Sequence, residues 1–224
     1  YRFNNIRIQA GGKLVVPSGT SLTTDNIYMT AGYVENEKYQ FIYPQLVANG
    51  SINNSSGKIY YDYWMNEAQY YNLALPYEVN IAEIKYQNGK SLPLNTNLWI
   101  AVYNGMTRST GASGWEDFNG SKLNAGIGYT VAATPQTVRI VGGAAAQRKY
   151  AIVRFPMSAN LTNGETTTDK SIAVTPYPSQ TGKDNDAGWN LVGNPFLANY
   201  GGNVDGLSNN NGIGLLVEDG TGGY

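Results

Sequence analysis

The strongest constraint on this chain is its punctuation. Asn-Gly occurs six times, at Asn49-Gly50, Asn88-Gly89, Asn104-Gly105, Asn119-Gly120, Asn163-Gly164 and Asn211-Gly212. Asp-Gly adds Asp205-Gly206 and Asp219-Gly220. Both dipeptides accept positive φ and favour tight hairpin turns. Between them lie β-branched and aromatic runs at 58–63, 70–75, 98–103, 128–132, 137–141, 149–155, 171–175 and 189–192. No stretch keeps apolar residues at helical spacing over three turns. Ala144-Ala145-Ala146-Gln147-Arg148 offers at most one turn of helix. Short strands at this cadence predict an all-β fold, an antiparallel β-sandwich or jelly-roll-like module.

The first thirty residues follow another rhythm. Ile6-Arg7-Ile8, Leu14-Val15-Val16, Leu22 and Ile27-Tyr28-Met29 place apolar residues about every eight positions, with Gly11-Gly12, Ser18-Gly19 and Asp25-Asn26 between them. Each piece is too short to bury its apolar face alone, so short β-solenoid-like rungs are one solution. Two ordinary hairpins are the other. The polar cluster Asn53-Asn54-Ser55-Ser56-Gly57 suggests a boundary, giving an N-terminal segment over 1–56 and a sandwich module over 57–224.

Composition removes whole reaction classes. Among 224 residues there is no cysteine and no histidine. Disulfides, thiol nucleophiles, Cys/His zinc sites and imidazole-based triads are therefore excluded. Lys+Arg 15 against Asp+Glu 16 leaves a net charge of -1, which gives no attraction to nucleic acid or to an anionic membrane. No apolar run is long enough to span a bilayer as a helix, so membrane insertion is not expected. Gly126-Ile127-Gly128 and Gly201-Gly202 lack the Lys-Ser/Thr and the helix of a phosphate loop. The start at Tyr1, without Met, points to a piece of a longer protein.

Two segments echo one another. Tyr71-Asn72-Leu73-Ala74-Leu75-Pro76-Tyr77 and Trp189-Asn190-Leu191-Val192-Gly193-Asn194-Pro195-Phe196 share an aromatic, an Asn, an apolar strand, a Pro and a closing aromatic. About thirty residues after each comes a matching strand with a turn, at 98–105 and 214–220. Two halves on one plan would account for this, and so would chance likeness between β segments.

The same residues carry a family resemblance. Gly188-Trp189-Asn190-Leu191-Val192-Gly193-Asn194-Pro195-Phe196 resembles the "GWNLVGNPY" segment recurrent in secreted and cell-surface proteins of the Bacteroidetes. Leu75-Pro76-Tyr77, Trp99-Ile100-Ala101-Val102-Tyr103-Asn104-Gly105 with Arg108, and Leu123-Asn124-Ala125-Gly126-Ile127-Gly128-Tyr129 are similar to a looser succession in those proteins. Ala10-Gly11-Gly12-Lys13-Leu14-Val15-Val16 with Gly19-Thr20 resembles their β-helical lead-in. The resemblance implies an exported, multi-module surface protein of adhesin-like or type IX-secreted character, secreted or held at the cell surface. It implies no catalytic residue. The family pattern usually continues past the Asp-Gly turn, which implies a last module truncated at the C-terminus.

Candidate sites are few. Tyr60, Tyr61, Tyr63, Trp64, Tyr70, Tyr71 and Tyr77 crowd one stretch, and Tyr61, Tyr63, Trp64 and Tyr71 are the expected aromatic platform for a glycan or another cell-surface protein. Strand alternation that buries half of them is the alternative. Asp62 with Glu67 is the first candidate carboxylate pair beside aromatics, as a sugar-cleaving site would need, and Glu116-Asp117 after Trp115 is a second. Asp62 on the solvent face of an amphipathic strand is the simpler reading. Glu116 and Asp117 are strand neighbours and point to opposite faces. Asp184 and Asp186, around Asn185, offer oxygen ligands for calcium, but without the spacing of an EF-hand loop, and a plain solvated turn is the simpler reading. The leading expectation is a non-catalytic exported surface module for adhesion, display or assembly. A carbohydrate-binding module is the alternative, and a carboxylate-dependent glycoside hydrolase the second.

Overall fold

The computed structural model of the chain describes residues 1–35, 39–66, 69–141, 146–165, 172–175, 177–178, 182 and 188–198. The chain is all-β, as the punctuation predicts. In chain order the strands are β1 (Arg2–Ile8), β2 (Lys13–Val16), β3 (Ser21–Thr30), β4 (Gly32–Glu35), β5 (Tyr39–Ile42), β6 (Gln45–Ala48), β7 (Ser51–Asn54), β8 (Lys58–Asn66) and β9 (Tyr71–Ala74). They continue with β10 (Val79–Asn80), β11 (Lys85–Tyr86), β12 (Leu98–Tyr103), β13 (Trp115–Asp117), β14 (Lys122–Leu123), β15 (Gly128–Ala133), β16 (Thr137–Val141) and β17 (Ala146–Ser158). Among the described residues one short α-helix, α1 (Gly105–Ser109), and one 3-10 turn, Ile81–Glu83, interrupt them.

The main sheet runs β1-β3-β8-β17-β10-β14, with β7 added to β3 and β11 and β16 added to β17. Its two ends differ in pairing. The N-terminal strands are parallel: β1 with β3, β3 with β7 and β3 with β8. β2 and β6 make a separate two-stranded parallel sheet, with Lys13 opposite Gln45 and Val16 opposite Ala48. From β8 onward neighbours are antiparallel, beginning with β8 on β17.

The apolar spacing of about eight residues therefore marks alternate pieces of one path. β1 and β3 lie in the main sheet, and β2 lies in the second, between them in sequence. Parallel partners lie much further apart, Ile27 facing Ile59 and Leu14 facing Leu46. Main-sheet pairing also crosses position 56, because β3 pairs with both β7 and β8.

A smaller antiparallel sheet, β13-β12-β15-β9, packs on the main one. Alternation sets the facing surfaces. Ile27 and Met29 on β3, Ile59 and Met65 on β8, and Val153, Phe155 and Met157 on β17 are at most 1% exposed. Tyr71 and Leu73, Tyr129 and Val131, and Leu98 and Ile100 supply the inner side of the smaller sheet. All belong to one hydrophobic cluster, and Tyr63 meets Tyr71 edge-on across it at 6.0 Å between ring centres. Each such burial contributes about 1.5–3 kcal/mol.

Several local expectations change. Asn88-Gly89 does close a hairpin: Gly89 has φ 85, and Lys85 bridges to Ser91. Asn104-Gly105 instead opens α1, because the Asn104 side chain accepts from the backbone N–H of Met106 and Thr107. Asn favours helix N-caps as strongly as turns, so the dipeptide alone does not decide between them. Ala146, Gln147 and Arg148 belong to β17, where pairing with β16 overrides the helix propensity of the alanines. Residues 172–175 form no strand.

The 189–192 run is no ladder strand either. It makes one bridge, Val192 to Ile127, within a strap over 188–198 that crosses the end of the smaller sheet. The Gly128 N–H donates to the Leu191 carbonyl, and the Gly193 N–H donates to Gly126. Asn190 behaves like a strand partner, accepting from the Thr175 N–H at 3.0 Å and donating to its carbonyl at 2.9 Å. Asn194 donates to the Ala198 carbonyl and accepts from the Phe196 N–H. The two echoing segments thus adjoin one another: Gly193 lies on Ala74, at the end of β9. The strand expected at 214–220 lies outside the described residues.

A Cβ at Gly193 would collide with the Cβ of Ala74. Gly193→Ala should therefore destabilise the chain by about 1–3 kcal/mol in urea unfolding. Adding Ala74→Gly should return part of that loss. An unchanged midpoint would show that the strap does not sit on β9.

Candidate functional site

β8 divides its aromatic cluster between two faces. Ile59, Tyr61, Tyr63 and Met65 turn inward, while Tyr60, Asp62 and Trp64 turn outward. Of the expected platform, Tyr63 and Tyr71 are buried in the core, and Tyr61 packs against it. Burial, reinforced by Tyr43, pushes the Tyr61 hydroxyl well above the ordinary tyrosine range. Trp64 lies on the opposite face, stacked on Tyr150 at 4.6 Å and 9°. The four residues do not form one surface.

Asp62 is the larger departure. It is 0% exposed, where solvent exposure was the simpler expectation. Arg154, opposite it on β17, donates Nε–H to Oδ1 and Nη2–H to Oδ2, both at 2.7 Å. Gln87 adds a third donor to Oδ2 at 2.9 Å. The hydrogen bonds that the guanidinium donates to Asp62 hold its pKa above the ordinary value against the opposing effect of burial. Tyr28 and Tyr60 stack at 5.0 Å beside it, with Arg154 over both rings and Arg7 over Tyr28. Both carboxylate oxygens are engaged, so this group is not set up to move a proton to or from a substrate. Glu67, Asp184 and Asp186 lie outside the described residues, and with them the hydrolase pair and the calcium loop. Among the described residues no three carboxylates converge on a metal position, and no helix is long and apolar enough to cross a membrane.

Other polar groups are likewise taken up internally. Glu165 is buried, accepting from the Tyr77 hydroxyl at 2.9 Å and from the Leu197 N–H. Burial first, then the Glu165 charge and hydrogen bond, pushes the Tyr77 hydroxyl upward. Glu116 accepts from Thr107 and Asn104 and fastens β13 to the start of α1. Those bonds lower its pKa.

The open surface is elsewhere. On the outer side of the smaller sheet, Trp99 of β12 faces Ala132 of β15. Tyr70, just before β9, continues that strand's line to the level of Ala132, since Tyr71 pairs with Val131. Trp99 is 38% exposed and Tyr70 50%. With Gln69, Ala132, Ala133, Thr134 and Pro135 they line an open groove of about 300 Å³. Among the described residues no charged side chain lines it. The Tyr71 hydroxyl donates to Gln69 Oε1, and Asn97 donates to the Thr134 hydroxyl. One row further along the same face Thr130 stands opposite Asn72, and Thr130 Oγ1 and Asn72 Oδ1 are buried without a partner.

Sequence reasoning missed this pair although the signal was present. Trp99 sits between Leu98 and Ile100, and Tyr70 beside Tyr71, so burying one partner turns the other outward. No known family's sequence pattern, no curated protein and no solved structure matches the chain.

Two outcomes follow. Asp62→Asn should cost about 3–5 kcal/mol in chemical denaturation, since it leaves a largely buried guanidinium without its counter-charge. Asp62→Asn with Arg154→Met should be more stable than Asp62→Asn alone, and equal stability of the two would contradict the pairing. For Glu116 the folded pKa lies below the unfolded one, so its contribution is complete above about pH 4.5 and fades as pH falls through the folded value. Glu116→Gln should flatten that acid limb, and an unchanged acid titration of stability would contradict the assignment.

Proposed function

We propose that this chain is a non-catalytic module of an exported surface protein, serving display or adhesion. One observation carries the reading: Asp62, the described carboxylate of the aromatic-rich strand β8, is closed by Arg154 and Gln87 rather than presented to a substrate. The residues of the "GWNLVGNPY"-like segment support it. Asn190 and Asn194 direct their amides to backbone groups, which is the work of a structural strap. The absence of Cys and His and the balanced charge fit a surface that acts by shape.

A carbohydrate-binding module is the second reading, favoured by the exposed pair Tyr70 and Trp99 beside an uncharged groove. It replaces the sequence-expected platform with a different set of aromatics. The hydrolase reading would need two carboxyl groups across a cleft. Asp62 does not offer itself as one.

Incubated with aryl glycosides and neutral polysaccharides, the chain should release no chromophore or reducing ends above background. Turnover that survives purification would contradict the non-catalytic reading. In cells that produce it, protease added outside intact cells should digest it. Protection until lysis would contradict export.

A further inference from the structure

We propose that the groove between Trp99 and Tyr70 is a binding site for a single pyranose ring of a neutral glycan. The inference rests on the carbohydrate-binding reading and assigns it a place and a ligand chemistry. Trp99 and Tyr70 flank β15, so their strand lines lie two inter-strand spacings apart, about 10 Å. The residue between them is Ala132, whose methyl leaves the floor low. Two exposed aromatic side chains over a small floor suit a ligand with an apolar face and a rigid, flat body. A pyranose presents such a face through its axial C–H bonds, and aromatic rings gain by covering it.

The polar groups select the ligand's edge. Gln69 Oε1 is occupied by the Tyr71 hydroxyl, which leaves the amide N–H groups of Gln69 as donors at the rim. The Thr134 hydroxyl accepts from Asn97, which leaves its own proton to donate. Donors beside aromatic faces, with no charged group in the lining, match the hydroxyl oxygens of an uncharged sugar. A carboxylated or sulfated sugar would meet no cation among the described lining residues.

The intact chain, screened on an array of neutral and acidic oligosaccharides, should bind neutral members, and the best of these is then titrated calorimetrically. Trp99→Ala and Tyr70→Ala should each weaken that binding about five- to tenfold. Phe3→Ala, an exposed aromatic on β1 far along the chain, should leave it unchanged. Thermal melts of each variant keep folding separate from binding, since both groove side chains are solvent-exposed. Glycan binding that survives both groove substitutions would overturn the site while leaving the carbohydrate-binding reading intact. Absence of any neutral glycan binding would overturn both. Preference for acidic glycans would overturn the assigned ligand chemistry.

Discussion

The ion pair between Asp62 and Arg154 joins two kinds of sheet. On one side β8 runs parallel to β3, and on the other antiparallel to β17. Asp62 sits at that seam, its side chain held by Arg154 and Gln87 and its carbonyl accepting from the Ala31 N–H. A buried carboxylate is tolerated only when its hydrogen-bonding capacity is met, and here three donors meet it. The register this fixes carries Tyr60 beside Tyr28, and Arg154 over both rings. Were β17 to slip by one residue, Arg154 would face the core and Phe155 the solvent.

From that seam the division of labour in the chain follows. Inward residues of the main sheet and the smaller sheet make one core, so both keep their outer faces for other uses. Part of the outer face of the main sheet carries its own cation–aromatic stack. The outer face of the smaller sheet is shared: the strap covers Gly128 and Ala74 at one end, and Trp99 and Tyr70 stand open at the other. Glycine at 128 and 193 lets the strap lie close, because Leu191 and Ala74 occupy the space a Cβ would take. Among the described residues, Asp62, Glu116 and Glu165, which look available in the sequence, are thus held by partners within the chain.

Much of the fold was legible, for physical reasons that also explain the failures. Strand identity follows from β-branched and aromatic runs, and those at 58–63, 98–103, 128–132 and 149–155 all fall in strands. Pairing direction was less accessible. A parallel partner lies a whole chain path away, so local turn chemistry at Asn49-Gly50 carries no information about it. Asn104 capped a helix because an Asn side chain serves either geometry. The aromatic platform was drawn from sequence proximity, but adjacent strand residues point to opposite faces, which separates Trp64 from Tyr61 and Tyr63. The pair that does share a face, Tyr70 and Trp99, comes from strands brought together only by β15. Asp62 was misjudged because its partner, Arg154, lies on a distant strand.

The central claim is that the seam at β8 makes the parallel and antiparallel parts one cooperative unit. Native-state hydrogen exchange tests it directly. The account predicts that backbone amides of β3, β8 and β17 share the slowest exchange class and, at low denaturant, open together with the same dependence on denaturant. Exchange of β3 amides through a separate, lower-energy opening that leaves β17 protected would contradict it.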